Sequence, residues 1–583
     1  DVAALATDNP NWKIERFAYD AYGNQTVHHE MAASDGSWNR WTNTVYDATY
    51  HLFPVQRWDA TQNWLVETAA YYGVNAISSG ESKLLGDPWA YWGALAEWCD
   101  VNEVCVRQAY DEHGRRRFRW DNVGKTAGWG NQSEANASVQ WDYRDPLNNP
   151  GRLRTSVAEW HAPRCEGNFV RKIYNAFGQL VQEQRPYQGW GMVYNGCGVN
   201  VSPEPEVDVD YAYDALGRQT RQSVPHLTTD GWVNRAADWS AKTATNFDAL
   251  DRVNTVTAPN GELTDYQYIK RQTKVMGLDR IGSPNKVLKW TEVDGLGRLF
   301  LARAGNQAGA ETESVALWYD ALDNLVYVSQ PVGTTAMTYD LAGRKTSMTD
   351  PDLGTWTYSY YRNGLLKQQT DACGNVTTML YDGVGRVASQ TVQPGGAGPC
   401  ATSLSSAAGV TTNYTYDANH SANLRSRGQL TSVSRNDGTY TRYIDYNSKG
   451  LPAAETVFIA GAPQGYTTQY GYDGYDRPST KTYPDGDVVK TDYNGMGLAV
   501  GITSTIGTNV ANIVNYASYD ASGRLTQMDY RYGGGIWVNY DYYPWVGSNG
   551  DGNGRLRGVT AGAMPLSNSV LGLYYNYDSF GNP

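Results

Sequence analysis

Phenylalanine is scarce in this sequence, with 9 residues against 44 Tyr and 20 Trp. Tyr and Trp pair an apolar body with a polar edge and suit strands that are half buried. Charge is also short, at 19% of residues with a net −12, too little for a disordered chain. Its acidic sign excludes the phosphate grip of nucleic-acid binders. No apolar run approaches the roughly 18 residues of a membrane span. Cysteine is limited to six positions with no CxxC pair, and the 7 His do not fall at zinc-ligand spacing. GxSxG, HExxH and P-loop strings are missing, so no catalytic residue, cofactor or metal is expected. His28-His29, the one His doublet, reads as an exposed strand end. An initiator Met and a signal peptide are lacking, and the sequence stops at Gly581-Asn582-Pro583, just inside a motif. The expectation is a processed piece of a longer chain.

Glycine, by contrast, is plentiful at 61 residues, and it recurs in register. A hexad Tyr-Asp-x-x-Gly-Arg/Asn appears at Tyr19-Asp20 with Gly23, Tyr110-Asp111 with Gly114, and Tyr213-Asp214 with Gly217-Arg218. It returns at Tyr339-Asp340 with Gly343-Arg344, Tyr381-Asp382 with Gly385-Arg386, Tyr519-Asp520 with Gly523-Arg524, and Tyr577-Asp578 with Gly581. Weaker copies fill the gaps, and in three of them Asp251, Asp323 or Asp476 stands where the glycine belongs. Asp also tolerates the left-handed region, so that position is conformational. Tyr319, Tyr339, Tyr360 and Tyr381 are separated by 20, 21 and 21 residues, room for one β-hairpin and its turns. The Asp carboxylate should accept from N–H groups two or three residues on, while the Gly closes the loop. Around the hexads, Thr355-Trp356-Thr357-Tyr358-Ser359-Tyr360 alternates hydroxyl and aromatic residues with period two.

One all-β repeat array over 1–583 is therefore expected, with loop insertions at about 80–105, 121–165, 186–208 and 391–412. Six cysteines allow 15 pairings; sequence proximity suggests Cys99–Cys105, Cys165–Cys197 and Cys373–Cys400, with buried free thiols as the alternative. Disulfides would place the chain outside the cell. Arg218, Arg344, Arg386 and Arg524 could stack into a row for an anionic glycan, or pair with a neighbouring repeat's Asp or carbonyls. The repeated Asp residues read as turn formers rather than as a glycosidase pair.

These hexads resemble the YD repeats of RHS proteins, teneurins and the B/C components of bacterial Tc toxins, from Tyr19 to Asn582. Val45–Val55 and Val293–Arg298 resemble the toxin branch in particular. The resemblance implies tandem hairpins in a continuous spiralling sheet, a shell or a rod. It also implies a structural, non-enzymatic scaffold that is secreted or at the cell surface. A cargo polypeptide inside a shell is the first expectation for a partner. An adhesion or filament protein contacting copies of itself, or a glycan, is the second, and a glycan-active enzyme ranks last. Where the family cleaves itself, an aspartyl site follows the repeats. Asp350-Pro351 lies mid-array and reads as a turn, so no such residue is carried over.

Overall fold

A computed structural model describes residues 14–31, 39–60, 62, 65–74, 92–111, 113–124, 137–144, 155–161, 169–187, 206–228, 237–278, 288–305, 311–395, 409–418, 425–530, 535–546, 552–563 and 568–577. Among them are 42 strands, β1 to β42 in chain order, and no helix. No helix is therefore long and apolar enough to cross a membrane.

The chain forms two compact units, each built from two stretches remote in sequence. Unit 1 takes Asp1–Ala137 with Ala316–Tyr470, and unit 2 takes Ser138–Val315 with Gly471–Pro583. Within each stretch, strands pair antiparallel with their sequence neighbours, as in β24 (Gly333–Tyr339), β25 (Lys345–Asp350), β26 (Gly354–Tyr360) and β27 (Leu366–Thr370). In unit 2, β13 (Glu206–Tyr213) bridges β12 (Leu180–Pro186) on one side to β15 (His226–Thr228) and β14 (Gln219–Ser223) on the other.

Period two governs burial. In β26, Thr355, Thr357 and Ser359 are exposed while Trp356, Tyr358 and Tyr360 are half buried. A deeper core forms in unit 1 on β6 (Leu95–Cys99), β7 (Val104–Tyr110) and β8 (Arg116–Gly124). It comprises Cys99, Cys105, Ala109, Phe118, Trp120 and, beyond the strands, Ala137. Arg107 is buried on the same face of β7, and its charge is met by Glu97 at 2.5 Å.

The insertions are narrower than the sequence suggests. Leu95–Cys99 and the start of β7 lie within 80–105, and β9 (Val139–Arg144) and β10 (Thr155–His161) lie within 121–165. They pair as regular sheet because Trp, Tyr and Val still alternate there, although no hexad marks their turns. Most of 186–208 and 391–412 lies outside the described residues. His28 and His29 also differ from expectation: both sit inside β2 (Gln25–Met31), and His29 is buried. The rings stack, His28 on Phe17 and His29 on Trp41, which draws both into the sheet.

Candidate functional site

The repeated hexads are the element that recurs, and their chemistry is uniform. The Asp340 carboxylate accepts from the N–H groups of Ala342 at 2.9 Å and Arg344 at 3.0 Å, two and four residues on rather than two and three. Asp340 N–H donates to the Arg344 carbonyl, and Gly343 N–H donates to the Asp340 carbonyl. This is a type I turn closed by a left-handed residue, with the register slipping at the preceding Tyr339 as a bulge. Gly343 has φ 74°, and Asp323 takes the equivalent place in its own turn at φ 66°. Asp20, Asp111, Asp214, Asp382 and Asp520 repeat the same pair of bonds. At the last hexad, Tyr577 is described and its hydroxyl donates to the Leu556 carbonyl, while Asp578 and Gly581 lie outside the described residues.

Each arginine then ties two repeats together. Arg218, Arg344, Arg386 and Arg524 all donate Nε to their own Asp at 2.6–2.7 Å. The guanidinium of each lies over a ring of the next repeat: Arg218 over Phe247 at 4.7 Å, Arg344 over Tyr360 at 5.1 Å, Arg386 over Tyr416 at 4.2 Å and Arg524 over Tyr542 at 4.4 Å. A further N–H reaches Asp251, the Tyr361 carbonyl, Asp417 or the Gly554 carbonyl, in that order. The tyrosine hydroxyls answer in the opposite direction. Tyr360, Tyr381, Tyr268, Tyr493 and Tyr542 donate at 2.8–2.9 Å to the carbonyl of the residue just after the preceding turn's arginine position, namely Lys345, Leu366, Val253, Pro478 and Leu525. Tyr110 and Tyr213 do the same to Leu95 and Leu180. The arginines are therefore engaged within the array rather than presented as a free basic row.

The electrostatics follow. The Arg218 side-chain bond, opposed by burial and aided by two backbone N–H groups, holds Asp214 below the usual carboxylate range. At Asp47, burial raises the carboxyl but four backbone N–H groups outweigh it, bringing it to about 2. Burial pushes Tyr381 up, and Tyr446 and Tyr475 up to about 12.

Three further features escaped the hexad pattern. The first is a clasp between the two stretches of unit 1. Asn102, on the tip between β6 and β7, exchanges two hydrogen bonds with the Arg427 backbone at 3.0 Å, and Arg427 Nη1 reaches the Val101 carbonyl. That tip is closed by the Cys99–Cys105 disulfide, whose cysteines stand opposite each other in register. Arg386 also reaches Gln62 at 3.2 Å. Unit 2 has counterparts in Tyr187 to the Tyr519 carbonyl and Asn553 to Glu262. No local signal announces contacts between residues some 300 positions apart. Cys373 is disulfide-bonded as well; Cys165, Cys197 and Cys400 lie outside the described residues.

The second is a buried polar row in unit 2. Gln182 and Gln184 of β12 bond Asp210 at 2.7 Å and Asp208 at 3.4 Å, and Arg171 of β11 (Phe169–Tyr174) bonds Gln184 at 2.6 Å. The third is a two-faced sheet in unit 1 from β23 (Leu325–Gln330) to β31 (Leu430–Arg435). On one face Ser329 stands opposite Thr334, Thr338 opposite Ser347, Thr349 opposite Thr355, Thr357 opposite Thr370, Thr378 opposite Thr391 and Asn413 opposite Ser434. Hydroxyls link across strands at Thr338–Ser347 (2.6 Å) and Thr349–Thr355 (3.1 Å). No charged side chain occupies these register positions. The reverse face carries Met337, Met348 and Trp356 in one row.

A family model described as RHS Repeat matches residues 319–355, which is β23 to the start of β26 with the hexads at Tyr319 and Tyr339. The fold is also similar to that of the crystal structures of TcdB2-TccC3-TEV (TM-score 0.76, 15% identity, 98% of this chain and 32% of that one) and TcdB2-TccC3 (0.73, 15%, 100% and 31%). The Photorhabdus luminescens Tc holotoxin pore is similar as well (0.73, 15%, 100% and 32%). Residues 319–355 thus carry an RHS repeat. No curated protein matches the sequence. The chain spans about a third of the length of the toxin chains whose fold it shares. Its fold is the all-β hairpin array of Tc-toxin components, and the arginine–tyrosine ties are how this sequence builds it.

Proposed function

We propose that this YD-repeat scaffold forms part of an exported shell that encloses a cargo polypeptide. The observation that carries the reading is the likeness to TcdB2-TccC3 along 98–100% of the chain. Its chemistry supports the same reading. A sheet face rich in hydroxyls and amides, interspersed with Tyr327, Ala336, Val376 and Leu380 and without a charged side chain at those register positions, offers an unfolded chain many weak contacts and no ion pair strong enough to hold one sequence. Turn carboxylates engaged by backbone N–H groups and arginines serve structure, which favours a scaffold over an enzyme. Disulfides fit a location outside the cytosol.

The test is protease protection on the complete gene product. A shell keeps a segment of the chain resistant to a large protease until the array is unfolded. If every segment outside the repeats is cut at the rate of an unfolded peptide, the enclosure reading fails, and self-assembly measured by light scattering would then favour a filament.

A further inference from the structure

Glu15 of β1 (Ile14–Tyr19) stands directly opposite Glu30 of β2, and Phe17 opposite His28. Residues two apart share a face, so Glu15, Phe17, His28 and Glu30 all lie on one side of the hairpin. Two carboxylates placed opposite each other repel, a pairing that weakens a sheet unless something lies between them. Here the Glu15 and Glu30 carboxylates and the His28 ring each bring one ligand atom within 4.8 Å of the others. The His28 ring is held by stacking on Phe17 at 4.8 Å. Its Nε2 is shielded from solvent, has no hydrogen-bond partner, and lies 3.9 Å from Glu15 Oε2, too far for a hydrogen bond.

We propose that Glu15, His28 and Glu30 form a binding site for a divalent cation of the zinc class, with water completing the shell. Metal–ligand bonds of about 2.0–2.2 Å put tetrahedral ligands about 3.4 Å apart, so the Nε2–Oε2 edge must contract by about half an ångström. A shift of the exposed Glu15 carboxylate toward the ring would close that gap. Imidazole selects a borderline metal over magnesium or calcium, and two carboxylates neutralise the charge of a dication. The bound ion turns a repulsive cross-strand pair into a clip across β1 and β2. This reverses the expectation from sequence, which saw no ligand spacing because the pattern runs across strands rather than along the chain.

The experiment uses the chain stripped by a chelator and titrated with zinc chloride in a calorimeter, beside Glu15→Gln, Glu30→Gln and His28→Gln. The parent chain should bind one zinc equivalent that each variant loses or weakens by more than about tenfold, the least that losing even an outer-shell partner typically costs. Magnesium should not replace zinc, and zinc should slow amide exchange in β1 and β2 of the parent only. Equal stoichiometry and affinity in parent and variants would overturn the site. So would no zinc uptake by the parent.

Discussion

Arg386→Ala should loosen three places at once that are far apart in sequence. The side chain bonds Asp382 at 2.7 Å, Asp417 at 2.7 Å and Gln62 at 3.2 Å, and lies 4.2 Å from the Tyr416 ring centroid. Hydrogen bonds to charged groups are worth about 1.5–3 kcal/mol each, and a cation over a ring about 0.5–1 more. Those values must be discounted, because the side chain is 20% exposed and Asp382 keeps its bonds from Val384 N–H and the backbone N–H of residue 386. About 3 kcal/mol of local opening free energy remains. At about 1.4 kcal/mol per tenfold, that is roughly a hundredfold rise in exchange for amides that open locally. Hydrogen exchange read peptide by peptide suits a repeat array, which need not unfold in one step. Protection should fall around 382–386, at Gly428, whose N–H is held by Asp417, and near Gln62. Arg386→Lys keeps the charge but loses the fork, and should fall between parent and Ala. Arg252→Ala, removing a side chain that is 40% exposed, should disturb only its own turn and the Tyr268 strand. Unchanged exchange at Gly428, or a spread no wider than that of Arg252→Ala, would refute the view that arginines tie the repeats together.

Two further predictions concern solution conditions. Turn carboxylates are depressed, to about 2 at Asp47, so their contribution is present above the ordinary value of 3.8 and lost as pH falls toward 2. Tyr446 and Tyr475 are raised to about 12, so their contribution is complete below 10.0 and lost as pH rises through 12. Circular dichroism and phenolate absorbance should therefore show a plateau with loss at both extremes; unfolding between about pH 5 and 9 would contradict it. Reducing Cys99–Cys105, which closes a short loop at a sequence separation of 6, should cost about 2 kcal/mol locally. The readout is faster exchange at the β6–β7 tip and around Arg427, and an unchanged Arg427 region would mean that the clasp does not depend on the disulfide.

What the sequence made legible is what is local. A hexad contains its own turn: the Asp acceptor and the left-handed fifth residue are both properties of adjacent residues, whereas the bulge at Tyr came only with the register. For that reason Asp251, Asp323 and Asp476 could be placed at the glycine position, and all three have positive φ. Thr355 to Tyr360 likewise contains its own alternation. The arginine ties were half legible, since both a basic row and pairing with neighbours fitted the pattern, and only register distinguishes them. Gln62, Asn102 and Arg427 were not legible at all. Their meeting depends on how two stretches of a unit are placed, and an isolated Asn or Gln looks the same whether it clasps or is solvated. The strands inside 80–105 and 121–165 were hidden for the opposite reason: the Tyr-Asp-x-x-Gly string is missing there, and at Asp100 the same turn is built with Cys99 in the Tyr place and Glu103 in the Gly place, at φ 61°.

Each hairpin pairs with its sequence neighbours, so much of the array's free energy comes from along it. Most strand residues here are only half buried, and an extra aromatic pair across strands adds only about 0.2–1 kcal/mol. A tie that crosses from each turn to the next ring, and back from that ring's hydroxyl to the strand after the turn, adds a directional term at every step. Directionality also fixes register, since a slip of one residue would move Tyr360 off Arg344 and turn Trp356 onto the hydroxyl face. The ties lie at the turns and bulges, which leaves the strand centres free to carry Thr and Ser on one face without cost to stability. In this sequence the structural chemistry is thus confined to the hairpin ends, and the middle of the sheet is where a scaffold can set the character of its surface.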